Sequence, residues 1–165
     1  MPKANIRTCV LFCCAVLIAV SSQSATAATH CVNPAGSGGC YKTITLAVSN
    51  AVPYDVINVW PGTYKEDVVI GIPLSLIGSG AGHTVIDATG LANGIFVDGF
   101  DNAGLNHVTI AGFSVQGAQW EGVLVVSASD VTIRNNTIAN NTKATAVFTG
   151  DPTGCSGQPS FELDE

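Results

Sequence analysis

Basic residues are scarce in this sequence: 6 Lys and Arg stand against 12 Asp and Glu, for a formal net charge of −6. A chain of that sign is repelled by nucleic acid and by anionic membrane, and neither is expected as a partner. Charged residues make up only 11% of the whole, while Gly alone contributes 18 positions. That balance suits a β-rich exported protein better than a set of solvated helices. A membrane-spanning run is also lacking. The apolar stretch from Cys9 to Val20 has 12 residues, well short of the roughly 20 that cross a bilayer as a helix. No cluster of Cys, His and Met of the kind used in metal delivery is found.

The short apolar stretch has a different meaning. Lys3 and Arg7 precede it, and Ala25-Thr26-Ala27 follow, with small residues at the third and last positions before a cut. This is the layout of a secretory leader, so residues 1–27 are expected to be removed and the protein to be secreted or periplasmic. Only Lys42, Lys65, Arg134 and Lys143 then remain against twelve acids, a net charge of −8. Such a surface repels a polyanionic sugar unless a cation bridges the two. Cys31, Cys40 and Cys155 survive the cut. In an oxidising compartment Cys31 and Cys40, nine residues apart across Gly-rich sequence, are expected to pair. Cys155 is left over, which implies a free thiol, an intermolecular bond or a partner beyond this sequence.

Residues 28–40 read as loop, with Asn33-Pro34 and a Gly36-Ser37-Gly38-Gly39 run. Over 43–52, Ile44, Ala47, Val48 and Ala51 form one helical stripe that Pro53 ends. Beyond Pro53 the period falls to two, in short strands such as Ile57-Asn58-Val59 and Leu74-Ser75-Leu76, punctuated by Gly, Asn, Asp and Ser. Self-similarity settles how those strands are used. Val108-Thr109-Ile110 recurs 23 residues later as Val131-Thr132-Ile133. Phe113-Ser114-Val115 and Val123-Leu124-Val125 recur at the same offset, as Asn136-Thr137-Ile138 and Ala146-Val147-Phe148. Earlier copies are looser: Leu76 to Ile110, Ile86 to Val115 and Val97 to Val125 carry extra residues at 79–83 and 99–106.

One offset shared by three strand columns predicts an all-β, right-handed parallel β-helix of three strands per coil and about four coils, starting near Val56, Leu74, Val108 and Val131. A β-sandwich would also show many short strands, but not one constant offset. The expected organisation is a leader over 1–27, a loop and capping helix over 28–55, the β-helix over 56–149, and a loop over 150–165 that begins a carboxy-terminal continuation. The helix is expected to plug the open first coil. In the third column alternation sends Phe96, Leu124 and Val147 outward, an apolar stripe expected to be covered by a loop, a downstream segment or a partner.

Several stretches carry a resemblance. Tyr41-Lys42-Thr43-Ile44, Ala47-Val48, Pro61-Gly62-Thr63-Tyr64-Lys65-Glu66, Ser75-Leu76-Ile77-Gly78-Ser79-Gly80 and Thr84-Val85-Ile86-Asp87 resemble the opening of pectin-lyase-like β-helix proteins, pectin methylesterases among them. Residues 94–148 resemble generic parallel β-helix repeats. The resemblance implies the fold and, as an activity class, a polysaccharide lyase, hydrolase or carbohydrate esterase. The Pro61-to-Glu66 segment reads as a structural corner, with Tyr64 closing the coil end.

The chemistry that such enzymes need is not spelled out here. Pectin-type esterases use two aspartates, an arginine and glutamines, but Gly112 to Gly117 and Val131 to Ile138 contain no paired aspartates. Hydrolysis by inversion or retention needs clustered carboxylates, and no Asp-Asp pair stands in the sequence. Lyases imply a Lys or Arg base with Ca²⁺ on carboxylates, which leaves Arg134 as the sole arginine after the leader and Ca²⁺ as the one cofactor to consider. His83 and His107 lie in or beside the inserted loops near Asp87, Asp98 and Asp101, where a His–Asp pair could do acid–base or metal work. Trp120 beside Glu121 reads either as a sugar-stacking pair or as a ring packed over a corner. Asn135-Asn136-Thr137 and Asn140-Asn141-Thr142 match glycosylation acceptors and read as turn asparagines. The candidate ligand contacts are therefore Trp120, Glu121, Arg134, His107, Asp98 and Asp101. The expected function is binding or processing of polysaccharide without a complete catalytic site in this chain. The alternative is a non-catalytic surface, adhesive or scaffold β-helix.

Overall fold

The computed structural model describes residues 26–142 and the backbone of 144–149. The expectations about the leader before residue 26, Cys155 and the loop over 150–165 fall outside the described residues. The first strand is β1 (Thr29–Val32), followed by helix α1 (Ile44–Asn50). Twelve short strands come next: β2 (Asp55–Val59), β3 (Gly62–Tyr64), β4 (Val68–Ile70), β5 (Leu74–Gly78), β6 (Thr84–Asp87) and β7 (Ile95–Asp98). Then come β8 (Val108–Ala111), β9 (Ser114–Gln116), β10 (Glu121–Val126), β11 (Val131–Arg134), β12 (Thr137–Ile138) and β13 (Ala144–Thr149).

From β2 to β10 every strand pairs with the strand three further along, and every pairing is parallel. Three sheets result, with orders β1-β2-β5-β8-β11, β3-β6-β9-β12 and β4-β7-β10-β13. This is a parallel β-helix. Ile133 lies in register with Ile110, Ile110 with Leu76, Val115 with Ile86, and Val125 with Val97, so the offsets read from the sequence are the pairing register. Inward positions stack as Ile57, Leu76, Ile110 and Ile133 in the first sheet, and as Val68, Ile95 and Val123 in the third. All are buried. Phe113, fully buried, fills the corner between the first and second sheets.

The corners repeat as faithfully as the strands. Gly112 and Asn135 both adopt positive φ (80° and 54°), as do Gly117 and Asn140 (79° and 58°), so the sequon-like asparagines are left-handed turn residues. Their neighbours Asn136 and Asn141 turn their amides inward. The Asn136 Oδ1 accepts from Phe113 N (2.9 Å) while its Nδ2 donates to Ile110 O (3.0 Å). Asn141 does the same for Ala118 N (3.0 Å) and Val115 O (3.3 Å). Each amide satisfies backbone groups that the bend takes out of the ladder.

The amino-terminal end departs from the loop expected over 28–40. Residues 29–32 form β1 and extend the first sheet by pairing with β2 from Thr29↔Val56 to Val32↔Val59. Four residues are too few to show a period, and only the exposed edge of β2 makes them a strand. The Cys31–Cys40 disulfide, with a Cα–Cα distance of 4.7 Å, ties this strand to the segment that leads into α1. The helix is shorter than the 43–52 stripe. Thr43 is its N-cap and accepts from Leu46 N, and Ala51, two residues before Pro53, is already extended. Ile44 and Ala47 are buried, with Val48 and Ala51 packed on the same core, and the helix lies against β1, β2 and β4.

The Pro61-to-Glu66 segment is structural, and its reach is longer than a corner. Tyr64 is buried and donates its hydroxyl to Trp60 O at 2.9 Å. Glu66 receives Ile44 N (2.9 Å), Thr45 N (2.8 Å) and Thr45 Oγ1 (2.7 Å), so one carboxylate holds the first turn of the capping helix. An acceptor charge there satisfies donors that have no partner inside the helix. Glu66→Ala is expected to lower unfolding stability by about 1–2 kcal/mol in urea titrations. Glu66→Gln is expected to keep part of the loss, and Phe113→Ala to cost more, about 3–5 kcal/mol.

Candidate functional site

The outer face of the first sheet carries hydroxyls. Where inward residues are aliphatic, the alternating outward ones are Ser75, Thr109 and Thr132, in register with one another. At the corner before each of the last four strands of this sheet lies one residue of a second column: Tyr54 before β2, Pro73 before β5, His107 before β8 and Asp130 before β11. Three of them are non-glycine residues at positive φ: Tyr54 at 74°, His107 at 54° and Asp130 at 50°. Such backbone conformations are unfavourable for L-residues and cluster where a side chain must be aimed.

Here they are aimed at a groove of about 260 Å³ lined by Tyr54, Leu74, Ser75, His107, Thr109, Asp130 and Thr132. His107 Nε2 lies 3.2 Å from Asp130 Oδ2, and His107 Nδ1 lies 2.6 Å from Asn106 Oδ1. The Tyr54 ring meets the imidazole edge-on, with centroids 6.1 Å apart at 74°. His107 and Asp130 are both more than half exposed, so the pair faces solvent and a ligand can reach it. An amphipathic ring at one end, a row of hydroxyls along the floor and a His–carboxylate pair at the other end offer stacking, hydrogen bonding and one proton-transfer group.

The residues picked from the sequence lie on different corners. His107 belongs to the groove, but its carboxylate partner is Asp130, not Asp98 or Asp101. Asp98 is buried, and its Oδ1 accepts from Phe100 N and Asp101 N, both at 3.1 Å, so it holds its own turn. Asp101 is exposed on that loop. Arg134 is exposed at the end of β11, in register with Ala111. Trp120 is 55% exposed at the corner before β10, where its backbone N–H donates to Ala92 O. Glu121 next to it donates its N–H to Asn93 Oδ1.

That second corner holds a carboxyl that sequence reading missed. Asp67 Oδ2 accepts from Asn93 N at 3.2 Å, while Asp67 Oδ1 is buried without a hydrogen-bond partner. Burial raises its pKa above the ordinary carboxylate value, against the lowering effect of Asn93 N–H. Asp67, Asn93 and Glu121 thus follow one another from coil to coil. The signal for Asp130 was present in the sequence: it stands 23 residues after His107, the same offset as the strands. Asp67 and Tyr54 sit in the irregular early coils, where no constant offset marks them.

Ca²⁺ prefers six to eight oxygen ligands, several of them carboxylates. Among the described residues no three His, Cys, Asp or Glu side chains converge, so that donor set is not assembled there. No helix among the described residues is long and apolar enough to cross a membrane.

No protein-family profile and no curated protein sequence matches the chain. Solved structures do. A single-residue variant of pectin methylesterase in complex with a hexasaccharide matches with a TM-score of 0.58 at 15% identity, over 75% of this chain and 48% of that one. Pectin methylesterase in complex with another hexasaccharide, and the Erwinia chrysanthemi pectin methylesterase PemA, each match with a TM-score of 0.58 at 15% identity, over 74% of this chain and 46% of theirs. The chain therefore spans about half the length of the solved structures it matches. At that identity the likeness establishes the fold alone, a parallel β-helix.

Proposed function

We propose that the protein is exported and binds polysaccharide in the groove of the first sheet, with uncharged or esterified sugars as the ligand class. The observation that carries this reading is the Tyr54–His107–Asp130 column standing over the Ser75–Thr109–Thr132 row. Hydroxyl rows and an exposed ring suit the alternating polar edges and apolar faces of sugar rings. The acidic balance of the chain disfavours a polyanion. Solved structures of this architecture hold hexasaccharides, which agrees with the reading. With one His–carboxylate pair and, among the described residues lining it, no second carboxylate, the groove is better suited to binding than to glycosidic cleavage. A second reading, a scaffold or adhesive β-helix, is favoured by the outward stripe of Val69, Phe96 and Leu124 on the third sheet.

Calorimetric titration with neutral and methyl-esterified oligosaccharides is expected to give saturable binding, and polygalacturonate a weaker signal. Tyr54→Ala or His107→Ala is expected to weaken binding about tenfold, a loss of about 1.4 kcal/mol, without changing the melting temperature. Binding by both variants as tight as the parent's, or none by the parent, would favour the scaffold reading.

A second prediction concerns Asp67. Its raised pKa means that the folded state favours the protonated form. Stability therefore falls as pH rises from the unfolded value near 4 through the folded pKa. Asp67→Asn is expected to melt a few degrees above the parent at pH 7, with the gap closing toward pH 4. A gap that does not depend on pH would refute this.

A further inference from the structure

Asp55 is 1% exposed, yet its carboxylate is fully engaged. Oδ1 accepts from Ala28 N at 2.7 Å, and Oδ2 accepts from Val52 N at 2.9 Å and faces His30 Nε2 at 2.8 Å. The Val52 N–H, then the His30 side chain and the Ala28 N–H hold its pKa below the ordinary carboxylate value, against the opposing effect of burial. Ala28 stands immediately before β1, and its carbonyl accepts from Val56 N at 2.9 Å. Residues 26–29 are exposed. In the sequence, Ala25 and Ala27 stand at the third and last positions before Ala28, after a basic start and a 12-residue apolar run.

We propose that the chain is cut between Ala27 and Ala28 and that Asp55 is a built-in receptor for the α-ammonium group so produced. A leader peptidase would hydrolyse the Ala27–Ala28 bond. Water supplies hydroxide to the Ala27 carbonyl and a proton to the Ala28 nitrogen, leaving a carboxylate on the leader and an ammonium on the body. The nitrogen already 2.7 Å from Asp55 Oδ1 then carries a full positive charge, and a hydrogen bond from a neutral amide to the carboxylate becomes an ion pair. Exposure of Ala28 leaves its other two N–H groups to water. The disulfide at Cys31 and the β1–β2 ladder keep the new terminus from fraying off its partner. The groups facing the pair are Asp55 from β2 and His30 from β1, with the Tyr41 ring against His30 at 5.8 Å. Processing thereby strengthens the strand that extends the first sheet.

The proposal rests on the exported reading, and its test separates the two. The full-length chain is expressed with export, and the product is weighed intact. The expected mass begins at Ala28 and carries one disulfide. A chain left uncut in the cell would overturn both readings. An exported chain cut elsewhere would overturn this proposal alone. The ammonium is then titrated by NMR on protein with ¹³C-labelled alanine, where only a terminal alanine responds to its own amine. An ion-paired ammonium is expected to titrate above the ordinary value of about 8. The folded pKa being raised, the stabilisation is complete below about pH 8 and is lost as pH climbs through that value. Melting temperatures from pH 7 to 10 are expected to fall more steeply for the parent than for Asp55→Asn. An Ala28 amine titrating at its ordinary value would overturn the pairing, even if Asp55→Asn fails to fold.

Discussion

Parallel pairing of each strand with the third strand along is the constraint on which the rest of the molecule depends. A single coil has no second layer to bury its apolar side against, and its backbone groups point up and down rather than sideways. Stacking solves both problems at once, provided that the register is kept. A slip of one residue would turn Ile110 and Ile133 to solvent and bring Thr109 and Thr132 inside. The inward aliphatics, the left-handed corner residues and the amides of Asn136 and Asn141 all favour the same register, so local and long-range preferences agree.

The open end of such a stack is its weak point, because an unpaired parallel edge and an uncovered core invite other chains. Here the end is closed by linked devices. β1 covers the edge of β2, α1 covers the core, the Cys31–Cys40 bond ties the approach to the helix onto β1, and Glu66 reaches back to hold the first turn of the helix. Asp55 belongs to the same closure, joining residues 28, 30 and 52 through one buried carboxylate. The third sheet shows the contrasting face. Phe96 and Leu124 are half-buried and Val69 is 47% exposed, in register with one another, while their strand neighbours Ile95, Val97, Val123 and Val125 are buried.

The groove follows from the same stacking. Residues at equivalent corners of successive coils are held about 4.8 Å apart by the ladder. Side chains that share a column therefore become neighbours whatever their separation in sequence. His107 meets Asp130, and the Tyr54 ring crosses the gap that Pro73 leaves between them. Positive φ at three positions of that column makes the corner before the strand, as it does at Asn135 and Asn140 elsewhere.

The sequence by itself determined the architecture and most of the register. A repeat of 23 residues in three columns has one geometric meaning, and the period-two alternation says which side of each strand is inside. It also contained the Cys31–Cys40 pairing, since nine residues of Gly-rich chain close easily. Tertiary structure decided the rest, for identifiable reasons. Thr29–Val32 has no period long enough to read and is a strand only because the edge of β2 offers it partners. Asp98 stood out as a ligand by position; only the folded turn that it opens shows its Oδ1 accepting from Phe100 N and Asp101 N. Asp130 was marked as the neighbour of His107 by the 23-residue offset, but Asp67 became a buried carboxyl beside Asn93 only through stacking of the irregular early coils. No constant offset runs through those early coils, so only the stacking of completed coils decides which of their side chains meet.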